Sequence, residues 1–130
     1  MSSRDEPLKP VIVTPGLLRE WALPSGADSK YARGSVLVIG GARSTAGAVL
    51  LAGTAALRVG AGRLIMAVAE SVAPALAVAM PESAVLGLPE SDTGSVLAAG
   101  ADRLAHDLGA ADVVVVGPGL DDGDETVGLL

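Results

Sequence analysis

The run Ser35-Val-Leu-Val-Ile-Gly-Gly-Ala-Arg-Ser-Thr-Ala-Gly-Ala-Val-Leu-Leu-Ala52 constrains the fold more than any other stretch, because an apolar strand breaks on two glycines and re-enters as a small-residue helix. Four β-propensity residues, Val36-Leu-Val-Ile39, suit a parallel strand buried on both faces. Gly40-Gly41 then lets the backbone turn with no Cβ in the way, and Ser44 or Thr45 can cap the following helix. Such a turn aims unpaired backbone N–H groups and the positive end of a helix at whatever lies above the sheet, which suits an anionic or polar ligand. An ordinary tight strand-to-helix turn is the plainer reading. The turn is neither a Walker A loop, since no lysine follows Gly47, nor the Gly-x-Gly-x-x-Gly fingerprint, since Ala42 stands where its second glycine belongs.

The same alternation runs along the chain. Thr14 as cap and Pro15 at the first helical position predict a short helix to about Ala22, ended by Pro24. The glycine-loop helix is expected over 46–59, its alanines and Gly53 suiting close contact with a sheet, with Gly60 and Gly62 as stop signals. Further strands are expected at 63–69, 84–88 and 112–117. Between them, Ser71 is expected to cap a short helix toward Met80. Leu97, Ala101, Leu104 and Leu108 recur at helical spacing before Gly109 as the C-terminal stop. The fourth strand reads as buried and enters a second glycine turn, Gly117-Pro-Gly119, and a last helix starts near 122–125. Apolar strands alternating with helices imply an α/β fold with a parallel sheet, whose ligands bind outside the carboxyl ends of the strands. Both glycine turns fall there.

Composition narrows the function classes. A chain of 130 residues fits one domain. With Trp21 and Tyr31 as its only aromatics it offers no base-stacking surface, and a formal charge of −6 argues against nucleic acid. It has no cysteine, which excludes disulfides and thiolate metal sites. The polar, proline-punctuated start lacks a signal-peptide core, and the longest apolar run, 46–57, is too short to span a bilayer. A cytoplasmic small-molecule protein with no membrane partner is expected.

Seven segments together resemble a known family. They are Val13-Thr-Pro-Gly-Leu-Leu18, the Lys30-x-x-x-Gly34 lead-in, Val36-Leu-Val-Ile-Gly-Gly41 with Ala46-Gly-Ala48, Ala55-Ala-Leu-Arg-Val-Gly-Ala-Gly62, Glu70-Ser-Val-Ala-Pro74, Met80-Pro-Glu82 and Val116-Gly-Pro-Gly-Leu120. Their order and spacing resemble the ADP-dependent NAD(P)H-hydrate dehydratases, relatives of the ribokinase-like carbohydrate kinases. One departure is Ala42, where the family usually places Ser or Asp.

The resemblance implies a ribokinase-like three-layer sandwich around a mostly parallel sheet. It also implies a single but incomplete domain over 1–130, because family members are roughly twice this length, and within it the polar, proline-punctuated start 1–10 is expected to be flexible. The implied reaction removes water from hydrated NADH or NADPH, with ADP as phosphoryl donor and Mg²⁺ spreading phosphoryl charge. The ADP site and a Gly-x-Gly-Asp catalytic motif belong to the family's second half, so no catalytic residue is expected in this chain. Carried over, the hydrated-nucleotide contacts fall on Gly47, Ala48, Gly117 and Gly119, with Gly40, Gly41 and Lys30 as further loop contacts. A non-catalytic nucleotide-binding remnant and a sugar or vitamin kinase of the same superfamily are the rival readings.

Individual residues carry their own alternatives. Ala48 on its own reads as helix packing, and only the resemblance makes it a contact. Lys30 and Arg33 either reach a ligand's phosphates or stand in a solvated loop. His106, the lone histidine, falls opposite the leucine stripe, on the solvated face. Asp121-Asp-Gly-Asp-Glu125 lacks the spacing of a calcium loop, so no metal is assigned and its acids are read as helix-dipole partners. An incomplete sheet would expose strand edges, and a homo-oligomer is expected.

Overall fold

The four apolar runs expected to be strands are strands in the computed structural model, which describes residues 11–21 and 29–129. The strands are β1 (Ser35–Ile39), β2 (Arg63–Ala69), β3 (Ala84–Leu88) and β4 (Val113–Val116). They form one parallel sheet in the order β3-β2-β1-β4. The helices are α1 (Pro15–Glu20), α2 (Gly47–Arg58), α3 (Ala73–Ala79), α4 (Ala101–Ala110) and α5 (Gly123–Gly128). The expected flexible segment 1–10 and the proposed helix end at Ala22 and Pro24 lie outside the described residues.

Helices cover both faces. On one, Val49 of α2 and Leu76 of α3 pack with Val38, Leu64, Met66 and Val68. On the other, Leu104 of α4 and Leu129 after α5 pack with Leu37, Ile39, Ile65, Ala67 and Leu88. This division follows from the strand period of two, which sends neighbouring side chains to opposite faces. Gly53 permits the close approach of α2, since a Cβ there would come within 2.8 Å of Leu64 Cδ2 and 3.1 Å of Met66 Sδ. Helix α2 ends as Gly60 suggests: Gly60 N–H donates to Leu57 O and Ala61 N–H to Ala56 O, the paired bonds of a Schellman cap.

Several local expectations are corrected. No side chain caps α2, and Thr45 is engaged elsewhere. Gly62 does not stop the helix; a Cβ there would collide with the Lys30 carbonyl, so the position needs glycine for close backbone approach. Ser71 lies inside a 3₁₀ turn, Glu70–Val72, rather than capping α3. Leu97 precedes a second 3₁₀ turn in extended backbone, and Gly109 lies within α4, which runs on to Ala110. Helical spacing located these residues but not the irregular turns that shorten the helices.

The largest correction concerns β4. Continuous valines suggest burial on both faces, yet Val113 is 53% exposed and Val114 and Val115 are also exposed. Strand β4 pairs only with β1 and forms a sheet edge among the described residues.

At the amino ends of β1 and β4, the Asp112 carboxylate accepts from Ser35 N–H at 2.8 Å. Ser35 Oγ lies 2.9 Å from Asp112 Oδ2 and 3.0 Å from Ala110 O, and donates its one proton between them. The Ser35 amide, and then its hydroxyl, hold Asp112 below its ordinary value of 3.8. The folded state therefore binds this proton less readily than the unfolded chain. Its contribution is present above the unfolded value and is lost as pH falls through the lower folded one. Urea unfolding between pH 5 and 2 should show stability falling with acid, and the slope should flatten in Ser35→Ala; an unchanged slope would contradict this.

Candidate functional site

The two glycine turns meet at the carboxyl end of the sheet. Because β1 and β4 are neighbours, the chain leaves both strands side by side, and the turns continue the ladder as backbone against backbone. Gly117 N–H donates to Ile39 O at 3.1 Å, Gly41 N–H to Pro118 O at 2.8 Å and Ala42 N–H to Gly119 O at 2.8 Å. Gly40 N–H is taken by Ala67 O, and Arg43 N–H by Gly94 O. The amides expected to stay free for a ligand at Gly40 and Gly41 are thus consumed within the protein.

Glycine is required here by the approach itself. Gly41 and Gly119 adopt φ of +67° and +74°, and a Cβ on Gly119 would meet Thr45 O at 2.5 Å and Ala48 Cβ at 3.2 Å. Thr45 Oγ1 donates to Gly119 O at 2.6 Å and ties the first turn to the second. Gly40 and Gly41 are buried beneath this junction, so they support the surface above them.

Above the junction the arrangement opens. Gly47 and Gly117 are exposed, and a Cβ on either would find nothing within 4 Å. Ala48 is half-buried, and its Cβ lies 3.2 Å from where a Cβ on Gly119 would stand. Among the described residues the amides of Ser44, Ala46 and Gly47, at the start of α2, donate to no protein acceptor. A polar or anionic group resting there would meet free N–H groups and the positive end of a twelve-residue helix. The structure therefore brings together four expected contacts, Gly47, Ala48, Gly117 and Gly119. It does not bring Lys30 to them. Lys30 sits at the opposite, amino end of the strands, its ammonium 5.4 Å from the Tyr31 ring centre and its carbonyl against Gly62.

Across the carboxyl edge lies a cluster that sequence spacing did not reveal. Arg43 Nη2 pairs with Glu90 Oε1 at 2.6 Å, and Ser71 Oγ donates to Glu90 Oε2 at 2.8 Å. Arg43 and then Ser71 hold the Glu90 carboxyl below its ordinary range. Its partners are 28 and 47 residues from Arg43, which no local motif could signal.

A family profile described as NAD(P)H-hydrate dehydratase matches residues 36–130, which include every residue of this edge. The chain belongs to that family. A dehydratase of Xanthomonas campestris, named ADP-dependent (S)-NAD(P)H-hydrate dehydratase, is 46% identical over 118 residues, 91% of this chain and 40% of its own length. A crystal structure of a ribokinase-like superfamily protein from Enterococcus faecalis superposes with a TM-score of 0.63 at 27% identity, over 79% of this chain and 32% of that one. The ADP/ATP-dependent NAD(P)H-hydrate dehydratase of Bacillus subtilis, co-crystallised with ATP/Mg²⁺, shares the fold with a TM-score of 0.60 at 24% identity, over 83% of this chain and 36% of that one. The chain thus spans about two fifths of the length of the Xanthomonas dehydratase.

The ribokinase-like α/β architecture expected of the family is present, and the family's reaction is that of a lyase. Nucleotide and Mg²⁺ use is attested for family members by these names. Among the described residues, no three His, Asp or Glu side chains are grouped so as to hold a metal ion. Of the acids at 121–125, Asp122 caps α5, its Oδ1 accepting from the amides of Asp124 and Glu125, and Glu125 Oε2 accepts from Ala98 N–H at 2.6 Å. His106 is exposed. No helix of the described residues is long and apolar enough to cross a membrane.

Proposed function

We propose that this chain serves the ADP-dependent dehydration of hydrated NADH or NADPH and supplies the hydrated-nucleotide side of the pocket. The observation that carries the reading is the convergence of Gly47, Ala48, Gly117 and Gly119 at the carboxyl edge of a dehydratase-family sheet, with open space above two of them. Small residues there let the backbone approach a bulky ligand closely. Gly40 and Gly41 act beneath them by holding the second glycine turn in place. In the proposed reaction ADP passes its terminal phosphoryl group to the hydrate hydroxyl, leaving AMP, and phosphate then departs with cleavage of the C–O bond as the neighbouring ring carbon loses a proton and the C=C bond forms. The base that deprotonates the hydroxyl is not assigned to any residue of this chain, which contains no Gly-x-Gly-Asp run.

The test uses the product of the complete native reading frame, with hydrated NADH, Mg²⁺ and either ADP or none. Recovery of NADH absorbance that requires ADP and releases AMP and phosphate is expected. Turnover without ADP would contradict the reading, and a stable phosphorylated product would point to a kinase instead.

A homo-oligomer is part of the same proposal, supported by the exposed Val113 and Val115 on the β4 edge. Sedimentation velocity should show species larger than a monomer as concentration rises.

A further inference from the structure

We infer that Arg43, Ser71 and Glu90 form a clasp that positions the ligand-facing segment 44–48, so that they act on ligand affinity without touching the ligand. The inference rests on the site reading above. Arg43 follows the first glycine turn, Ser71 follows β2 and Glu90 follows β3, so one guanidinium links the carboxyl ends of three adjacent strands. Each of its nitrogens is occupied: Nη2 by Glu90 Oε1 at 2.6 Å, Nη1 by Asp92 O at 3.1 Å and Nε by Ser71 Oγ at 3.4 Å. Ser71 Oγ, having accepted from Arg43, donates to Glu90 Oε2 and closes the ring.

The loop it grips is itself ordered. Glu90 and Val96 form an antiparallel bridge, and Ser91 N–H donates to Ser95 O at 2.9 Å. Gly94, at φ +96°, leaves room for the Arg43 side chain, and its carbonyl accepts the Arg43 amide. On the other side of Ser44, Thr45 is bonded to Gly119 O. The segment that carries the free amides is therefore pinned at Arg43 to the β2 and β3 loops and at Thr45 to the β4 turn. An isolated surface ion pair contributes little. Here the planar fork is used at three points, and lysine cannot reproduce that geometry.

The alternative is that Arg43 simply attracts an anionic ligand, and Glu90 separates the two. Neutralising Glu90 would free the guanidinium and tighten binding if Arg43 worked by charge, but it loosens the clasp if Arg43 works by position. The experiment compares the unsubstituted chain with Arg43→Ala, Arg43→Lys and Glu90→Gln, reading amide exchange at Ala42, Arg43 and Thr45 and calorimetric affinity for hydrated NADH. Arg58→Ala, which removes an exposed arginine in the last turn of α2, at the opposite end of that helix from segment 44–48, is the control.

Arg43→Ala should exchange about tenfold faster at these amides and bind about tenfold more weakly. Arg43→Lys should recover only part of both, Glu90→Gln should weaken binding, and Arg58→Ala should change neither. Unchanged exchange in Arg43→Ala, or tighter binding in Glu90→Gln, would overturn the clasp. If the unsubstituted chain fails to bind, the site reading fails, and exchange alone then decides: faster in Arg43→Ala supports the clasp, unchanged refutes it.

Discussion

Gly40→Ala should destabilise the chain by about 3–5 kcal/mol, in the exceptional range for one added methyl group. An alanine Cβ at this position would overlap the Pro118 carbonyl oxygen and lie 3.0 Å from Val49 Cγ2. Neither neighbour can yield cheaply. The Pro118 carbonyl is fixed by the bond it accepts from Gly41 N–H at 2.8 Å, and Val49 is buried between α2 and the sheet. Relief would require the two glycine turns to part, breaking the Gly41 and Ala42 bonds and the Thr45 tie together. Since small domains have roughly 5–15 kcal/mol in total, the loss should be plain in a urea unfolding midpoint. Gly47→Ala, where the added carbon meets nothing within 4 Å, is the matched control and should be neutral or slightly stabilising. Equal losses in the two variants would show that the turns do not meet as described.

Gly47→Leu should separate binding from folding. The position is the first residue of α2, is exposed, and offers open space to a side chain, so leucine, a better helix former, should leave the unfolding midpoint within about 1 kcal/mol of the unsubstituted chain. The same open space is where the proposed ligand lies against the Ser44, Ala46 and Gly47 amides. An isobutyl group there should weaken calorimetric affinity for hydrated NADH about 100-fold, equivalent to about 2.8 kcal/mol. Retained affinity in a folded Gly47→Leu chain would remove Gly47 from the site.

The strands and their parallel alignment were legible because strands buried between helices read as continuous apolar runs, as at Val36-Leu-Val-Ile39 and 63–69. The positions of the two glycine turns were legible for the same reason, since each follows such a run. What the turns do was harder to read. A glycine pair after a strand announces free amides, but the partners of Gly41 and Ala42 stand 77 residues away, at Pro118 and Gly119, and only sheet order brings them together. Thr45 is a natural helix cap by its place in sequence, yet the nearby Gly119 carbonyl takes its hydroxyl. The valines of β4 promised burial because side-chain type reports what a strand can pack against and says nothing of how many neighbours it has. The Arg43 clasp left no periodic or spacing signal, because its members belong to three different loops.

The most direct test of the account is to follow the backbone amide resonances of the chain while hydrated NADH is titrated in. Shifts should concentrate at Gly47, Ala48, Gly117 and Gly119, on the carboxyl edge of the sheet. The apolar groove of about 670 Å³ at the amino end, lined by Arg33, Ser35, Val59 and Val113, should remain unperturbed. Shifts confined to that groove, or none at saturating ligand, would contradict it.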